Sequence, residues 1–297
     1  MGAMSASGTG MRKTPFEPQM PGFLKLWPPT YFQDRLPEGT SWEEVNRICA
    51  HMFEDVIVNE DASTVAGIIL EPIGNTGGLI TPTEEYFSIV RSICDRHKVL
   101  LILDETITGF CKTGSMFGCD SFNVVPDIIV TGKGVSNGIV PLAAMICQVD
   151  MAKVFLDDPS HFFAHGHTFA NNPLACAVGS AVLHEMTTHS LDKKAQRLGE
   201  VIFNRLSAMQ DKFGCIKEVR GRGILRGVLL VKDRETNQAW PELGVALKST
   251  AMANGLIMRI DPTWFTVAPA LCAEEEDIHE MCDLIEQSLG DALQMVR

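Results

Sequence analysis

Apolar residues in the first half of the chain gather into four short runs: "TVAGIILEPI", "VLLILDETITGF", "DIIVTGKG" and "LAAMICQVD". Runs of this length, rich in Ile, Val and Leu, predict buried strands. Between and before them lie segments with helical periodicity. "TSWEEVNRICAHMFEDVIVNE" has Thr40 or Ser41 as its N-cap and acids in the first turn, whereas "TEEYFSIVRSICDRHK" has Thr83 as cap and a basic last turn. The alternation predicts a mostly parallel sheet covered on both faces. Residues 1 to about 40 are rich in Gly, Pro and aromatics, and within them "GFLKLWPP" predicts a short strand stopped by Pro28 and Pro29.

From about Asn171 the pattern changes. "NNPLACAVGSAVLHEM" predicts a small-residue helix and "LDKKAQRLGEVIFNRLSAMQDKF" a long amphipathic one. "IKEVRGRGILRGVLLVKD" reads as strands with glycine turns, and "ELGVALKSTAMANG", "WFTVAP" and an acidic-capped last helix complete a smaller α+β unit. The expected organisation is an α/β large domain over residues 1–190 and a C-terminal α+β small domain over 191–297.

The 297 residues, 45% hydrophobic and 21% charged, suit a globular enzyme with a sizeable core. A net charge of −12 argues against nucleic acid and anionic membrane as partners. No apolar stretch approaches the roughly 18 residues of a membrane span. The start, "MGAMSASGTG", lacks the basic and apolar regions of a signal peptide. Nine cysteines form no CxxC pair, which fits a reducing, cytoplasmic setting and no metal site.

Three of the four predicted strands end on an ionisable residue: Glu71, Asp104 and Lys133. In open α/β sheets the ligand crevice lies outside the carboxyl ends of the strands, so the three groups are expected to converge. Lys133 stands between Gly132 and Gly134, directly after "DIIVT". A phosphate-binding P-loop fails here, because Asp127 and Gly134 occupy the places of its first glycine and its hydroxyl residue. A structural lysine in a tight turn and a Schiff-base lysine remain. The second reading needs a carboxylate facing a pyridine nitrogen, and flanking glycines would leave room for a flat ring. Asp104 ends the preceding strand, about one crossover upstream. That pairing favours the Schiff base.

The stretch "LILDETITGFCKTGSMFGCDSFNVVPDIIVTGKGVSNGIVPLAA" closely resembles the signature of class III aminotransferases, which are fold type I pyridoxal phosphate enzymes. The similarity continues through "GIILEPI", "HGHTFANNPLACA", "VRGRGILRGVLL" and "APAL", and so covers nearly the whole chain. The resemblance implies that Lys133 carries the cofactor covalently and moves the substrate proton, and that Asp104 pairs with the pyridine nitrogen. Ile107 stands near the ring hydroxyl, as in the ω-aminotransferase branch. Thr168 would reach the cofactor phosphate of a neighbouring subunit, implying a homodimer with shared sites. Glu71 resembles an acid near the substrate carboxylate, and Arg259 the mobile arginine that binds a carboxylate and swings away for a hydrophobic amine.

The implied activity moves an amino group from an amine or amino acid to a keto acid such as pyruvate. Two alternatives stay open: an aminomutase or racemase of the same fold, and a non-catalytic remnant acting as an oligomerisation partner. The family's Tyr-His-Gly motif and the Gly-Ser/Thr turn that holds the cofactor phosphate have no counterpart in this sequence. The chain is therefore expected to be an N-terminally truncated form that holds the cofactor weakly. Two strands of the large sheet are expected to be missing, leaving unpaired backbone and exposed apolar surface.

Overall fold

The computed structural model describes residues 2–296. Two short helices, α1 (Gly2–Ala6) and α2 (Gly10–Lys13), open the chain. Residues 22–29, predicted as a short strand, contain no strand and are irregular or turn. Pro28 and Pro29 have no N–H to give a ladder, and Phe23, Leu24 and Trp27 remain exposed without a strand beside them. Helix α3 (Trp42–Asn59) is capped by Ser41, which accepts from the Glu44 N–H at 3.2 Å. Thr83 caps α4 (Glu84–His97) in the same way, accepting from Tyr86 at 3.1 Å.

The four apolar runs form β1 (Gly67–Leu70), β2 (Leu100–Asp104), β3 (Ile128–Thr131) and β4 (Ala144–Cys147), in that spatial order. β1, β2 and β3 are parallel, and β4 closes the sheet antiparallel to β3. One face packs on α3 and α4, where Phe87, Leu101, Leu103 and Phe122 are buried. The expected second cover is missing. Ile69, on the opposite face, is 44% exposed and Met145 on the edge strand is 55% exposed. No helix among the described residues lies over that side, so the apolar face stays open to solvent.

After α5 (Val149–Leu156) comes an exposed stretch without helix or strand, then α6 (Pro173–Thr188), capped by Asn172. α7 (Leu191–Lys212) starts a second core. Here β5 (Ile216–Arg222), β6 (Leu225–Asp233), β7 (Gln238–Ala239), β8 (Arg259–Asp261) and β9 (Trp264–Val267) form an antiparallel sheet. α7, α8 (Pro241–Ala253) and α9 (Glu275–Met295) cover it and bury Leu198, Ile202, Phe265 and Ile285. Among the described residues no helix is long and apolar enough to cross a membrane.

The two sheets meet at a tight seam. The Ile224 N–H donates to Lys112 O at 3.1 Å, and Lys112 Nζ donates to Pro269 O at 3.0 Å. Gly223, at φ 55°, sits so close that a Cβ there would fall 2.5 Å from the Thr113 carbonyl carbon. Both its left-handed conformation and its contact require glycine. Gly223→Ala should therefore cost at least about 3 kcal/mol, since backbone on both sides must shift. A drop in denaturant midpoint at constant slope would register it.

Candidate active site

Three strand tips stand side by side at one edge of the parallel sheet. Leu70 registers with Leu103 and Asp104 with Val130, so Glu71, Asp104 and the Lys133 turn leave β1, β2 and β3 at the same end. Each tip is fixed differently.

Lys133 is exposed and has φ 42°, in the left-handed region that costs a non-glycine residue about 1 kcal/mol or more. Such strain is held only where neighbours dictate the backbone. The neighbour here is Phe110: a Cβ on Gly134 would fall 2.9 Å from the Phe110 Cβ. Gly134 thus serves close packing against an aromatic ring. It does not clear space for a cofactor, as the sequence suggested. A Cβ on Gly132 would meet Thr106 Cγ2 at an ordinary 3.4 Å. The Lys133 amine makes no hydrogen bond among the described residues.

Asp104 is partly buried, and its Oδ1 accepts from the Thr106 N–H at 3.0 Å. Oδ2 has no hydrogen-bond partner among the described residues. Behind it, the fully buried Glu105 carboxylate accepts from the Gly118 and Cys119 N–H groups at 2.8 and 2.7 Å, and from the Thr108 hydroxyl. A buried carboxylate with three donors is well compensated and pins the loop that follows Asp104.

At the Glu71 tip the surroundings raise the carboxyl's affinity for a proton. Burial pushes its carboxyl above the ordinary value and the nearby Asp104 adds to that. The Asn75 N–H, which donates to Oε2 at 3.3 Å, works in the opposite direction, as do Lys133 and Arg259. Asp104, Lys133 and Arg259 therefore all lie within electrostatic reach of one carboxyl. Arg259 comes from β8 of the other sheet. The strap that follows Glu71 is closed by the Gly74–Ile80 pair of backbone hydrogen bonds at 2.8 and 2.9 Å. Arg220 donates to the Gly77 and Gly78 carbonyls of this strap, and Trp264 packs on Gly78.

The remaining expected site residues are Ile107 and Thr168. Ile107 is half-buried and packs against the large-domain core. Thr168 is exposed in the irregular stretch before α6. Sequence reasoning missed Asp261 and Trp264, which contact Arg259, and Arg220, which holds the strap. An Arg-x-Asp pair on one strand face, followed by a two-residue turn and an aromatic, was the available signal for the first two.

A parallel sheet with charged tips at one end, joined to a smaller antiparallel sheet, has the fold type I architecture. The family described as Aminotransferase class-III matches residues 1–289, and the chain belongs to that family. It is 38% identical over 241 residues to a probable aminotransferase of Mycobacterium tuberculosis, covering 81% of this chain and 51% of the relative. To an uncharacterized aminotransferase of Bacillus subtilis it is 32% identical, covering 97% of this chain and 64% of the relative. The solved structure of an (S)-enantioselective omega-transaminase from Thermomicrobium roseum superimposes with a TM-score of 0.89 at 30% identity. That match covers 99% of this chain and 65% of the other. The chain thus spans between half and two thirds of the length of the relatives it matches.

Two outcomes follow from this geometry. Gly134→Ala should destabilise by about 1–3 kcal/mol through Phe110, while Gly132→Ala should stay within about 1 kcal/mol; paired denaturant titrations compare them. Glu71, with its raised folded value, stabilises the fold when protonated and loses that contribution as pH rises through that value. Glu71→Gln should therefore match the parent below its ordinary value of 4.5 and melt higher than the parent at neutral pH. Melting curves from pH 4 to 8 give the answer.

Proposed function

We propose that this chain carries the ring-binding and proton-transfer residues of a pyridoxal phosphate-dependent aminotransferase. The reaction moves an amino group from an amine or amino acid to a keto acid such as pyruvate. The observation that carries this reading is the placement of Glu71, Asp104 and the Lys133 turn at the same ends of three adjacent parallel strands.

The ring end of the cofactor suits these residues. Asp104 keeps one oxygen for a ring N–H after giving the other to Thr106, and Lys133 offers an exposed amine held by a strained backbone. Pyridoxal phosphate, when bound, supplies an aldehyde that condenses with amines and a protonated ring that takes up electron density. Lys133 Nζ is then the covalent anchor and, once released, the base that carries the proton from the substrate carbon. The Asp104 carboxylate keeps the ring nitrogen protonated. Arg259 binds a substrate carboxylate, and a Glu71 that protonates easily leaves the arginine free for it.

Ile107 is assigned to the wall near the ring hydroxyl. Thr168 is assigned to the cofactor phosphate of a second copy in a homodimer with shared sites. The exposed Leu156, Phe162, Phe163, Phe169 and Leu174 around that threonine support an interface there. A boundary at residue 190, between α6 and α7, divides the large cofactor-binding unit from the small one. Nine free cysteines favour a reducing, cytoplasmic setting.

Borohydride reduction after incubation with saturating pyridoxal phosphate, followed by peptide mapping, is expected to find the cofactor on Lys133. Formation of alanine from pyruvate and an amine donor should fall by about 100- to 10,000-fold in Lys133→Ala, and Asp104→Asn should also be impaired. Turnover that survives the loss of Lys133, or labelling at a different lysine, overturns the assignment.

A further inference from the structure

Arg259 and Asp261 are two residues apart on β8, so their side chains leave the same face of the strand. The tight turn at Pro262 and Thr263 then brings Trp264 into register with Asp261. Asp261 Oδ2 accepts from Arg259 Nε at 3.1 Å, and the guanidinium carbon lies 4.5 Å from the Trp264 ring centroid. One edge and one face of the fork are thereby taken. The Nη1 and Nη2 atoms have no hydrogen bond among the described residues. Those two N–H-bearing groups match the two oxygens of a carboxylate.

The platform behind the arginine is rigid. Trp264 is 7% exposed, and Gly78 lies so close that a Cβ there would be 3.0 Å from the Trp264 Cβ and Cγ. Gly78 is itself held by Arg220. An arginine that swings away from this place must leave both the Asp261 carboxylate and the indole. An exposed ion pair and a cation–π contact are each worth a few-fold in population, so together they favour the held state about tenfold.

We propose that Asp261 is a positioning residue that, with Trp264, presets Arg259 as a fixed carboxylate clamp. The site then favours substrates that carry a carboxylate, amino acids and keto acids, over amines that lack one. This rests on the reading above that Arg259 faces the substrate. It replaces a mobile arginine with one whose open edge is arranged before the substrate arrives.

Calorimetric titration of the purified chain with propanoate, and with propanamide as its uncharged isostere, tests the clamp without turnover. Propanoate is expected to bind, Arg259→Ala to abolish that binding, and Asp261→Asn to weaken it about three- to fivefold, the size of an exposed ion pair. Propanamide should distinguish none of the three proteins. In turnover, Asp261→Asn should raise KM for pyruvate and leave kcat within about twofold. Tighter propanoate binding by Asp261→Asn would make the aspartate a competitor and overturn the proposal. Unaltered propanoate binding, or equal effects on both probes, would overturn it as well. Asp261-dependent propanoate binding in a chain without transamination supports the clamp and refutes the aminotransferase reading alone.

Discussion

Arg220 ties the two sheets into one frame. From β5 it donates through Nε to Gly78 O at 2.6 Å and through Nη2 to Gly77 O, across 142 residues of sequence in the first case. Its side chain is only 11% exposed, and the acidic Glu218 is 3.4 Å away. Burial lowers its proton affinity, although a guanidinium stays charged at any working pH. A buried charge of this kind is tolerable only where acceptors replace its water, and the two strap carbonyls do so. Their donor in turn fixes the strap, the strap carries Glu71 at its root, and the Trp264 it packs against carries Arg259. Together with the seam at Lys112 and Gly223, this tie sets the separation of Glu71 on one sheet from Arg259 on the other.

What could be read in the sequence follows from the range of the forces involved. Strands β1 to β4 and the helices with Ser41 and Thr83 as caps were legible because apolar runs and caps act over a few residues. Asp104 and Lys133 were legible because a polar residue at the end of a core strand is conspicuous, and the class III signature adds its spacing. The strap was not legible. Its partners lie in a sheet far along the chain, and glycine carbonyls give no sign of what will bind them. Gly134 was misread for the same reason: a glycine beside a lysine suggests space, and only the fold shows Phe110 filling it. The "GFLKLWPP" segment had strand composition but no neighbour, and composition alone does not supply the ladder hydrogen bonds a strand requires.

The open face of the large sheet belongs to the same account. Ile69 and Met145 are apolar side chains in regular strand register, yet they are about half exposed. The outer side of the edge strand β4 adds a row of free backbone groups. Such surface is unfavourable in isolation and marks the side on which additional mass would gain the most burial. The charged tips lie at the end of this sheet, so whatever covers the face also changes the dielectric around Glu71, Asp104 and Lys133. The electrostatics of the tips and the burial of the face are coupled.

That coupling has a direction. Glu71 and Asp104 are acids, Lys133 and Arg259 are bases, and the four nearly balance. Burying such a set penalises whichever charge lacks a close partner, because desolvation grows faster than attraction between groups that do not touch. Asp104 has the Thr106 N–H and Arg259 has Asp261 and Trp264, whereas Glu71 has a single long hydrogen bond from Asn75. Of the two acids, Glu71 is the one whose affinity for a proton burial already raises. On the proposed reading, a proton on Glu71 removes a competing negative charge from the neighbourhood of Arg259. The raised affinity of Glu71 for a proton is, on that reading, the electrostatic counterpart of the proposed Arg259 clamp.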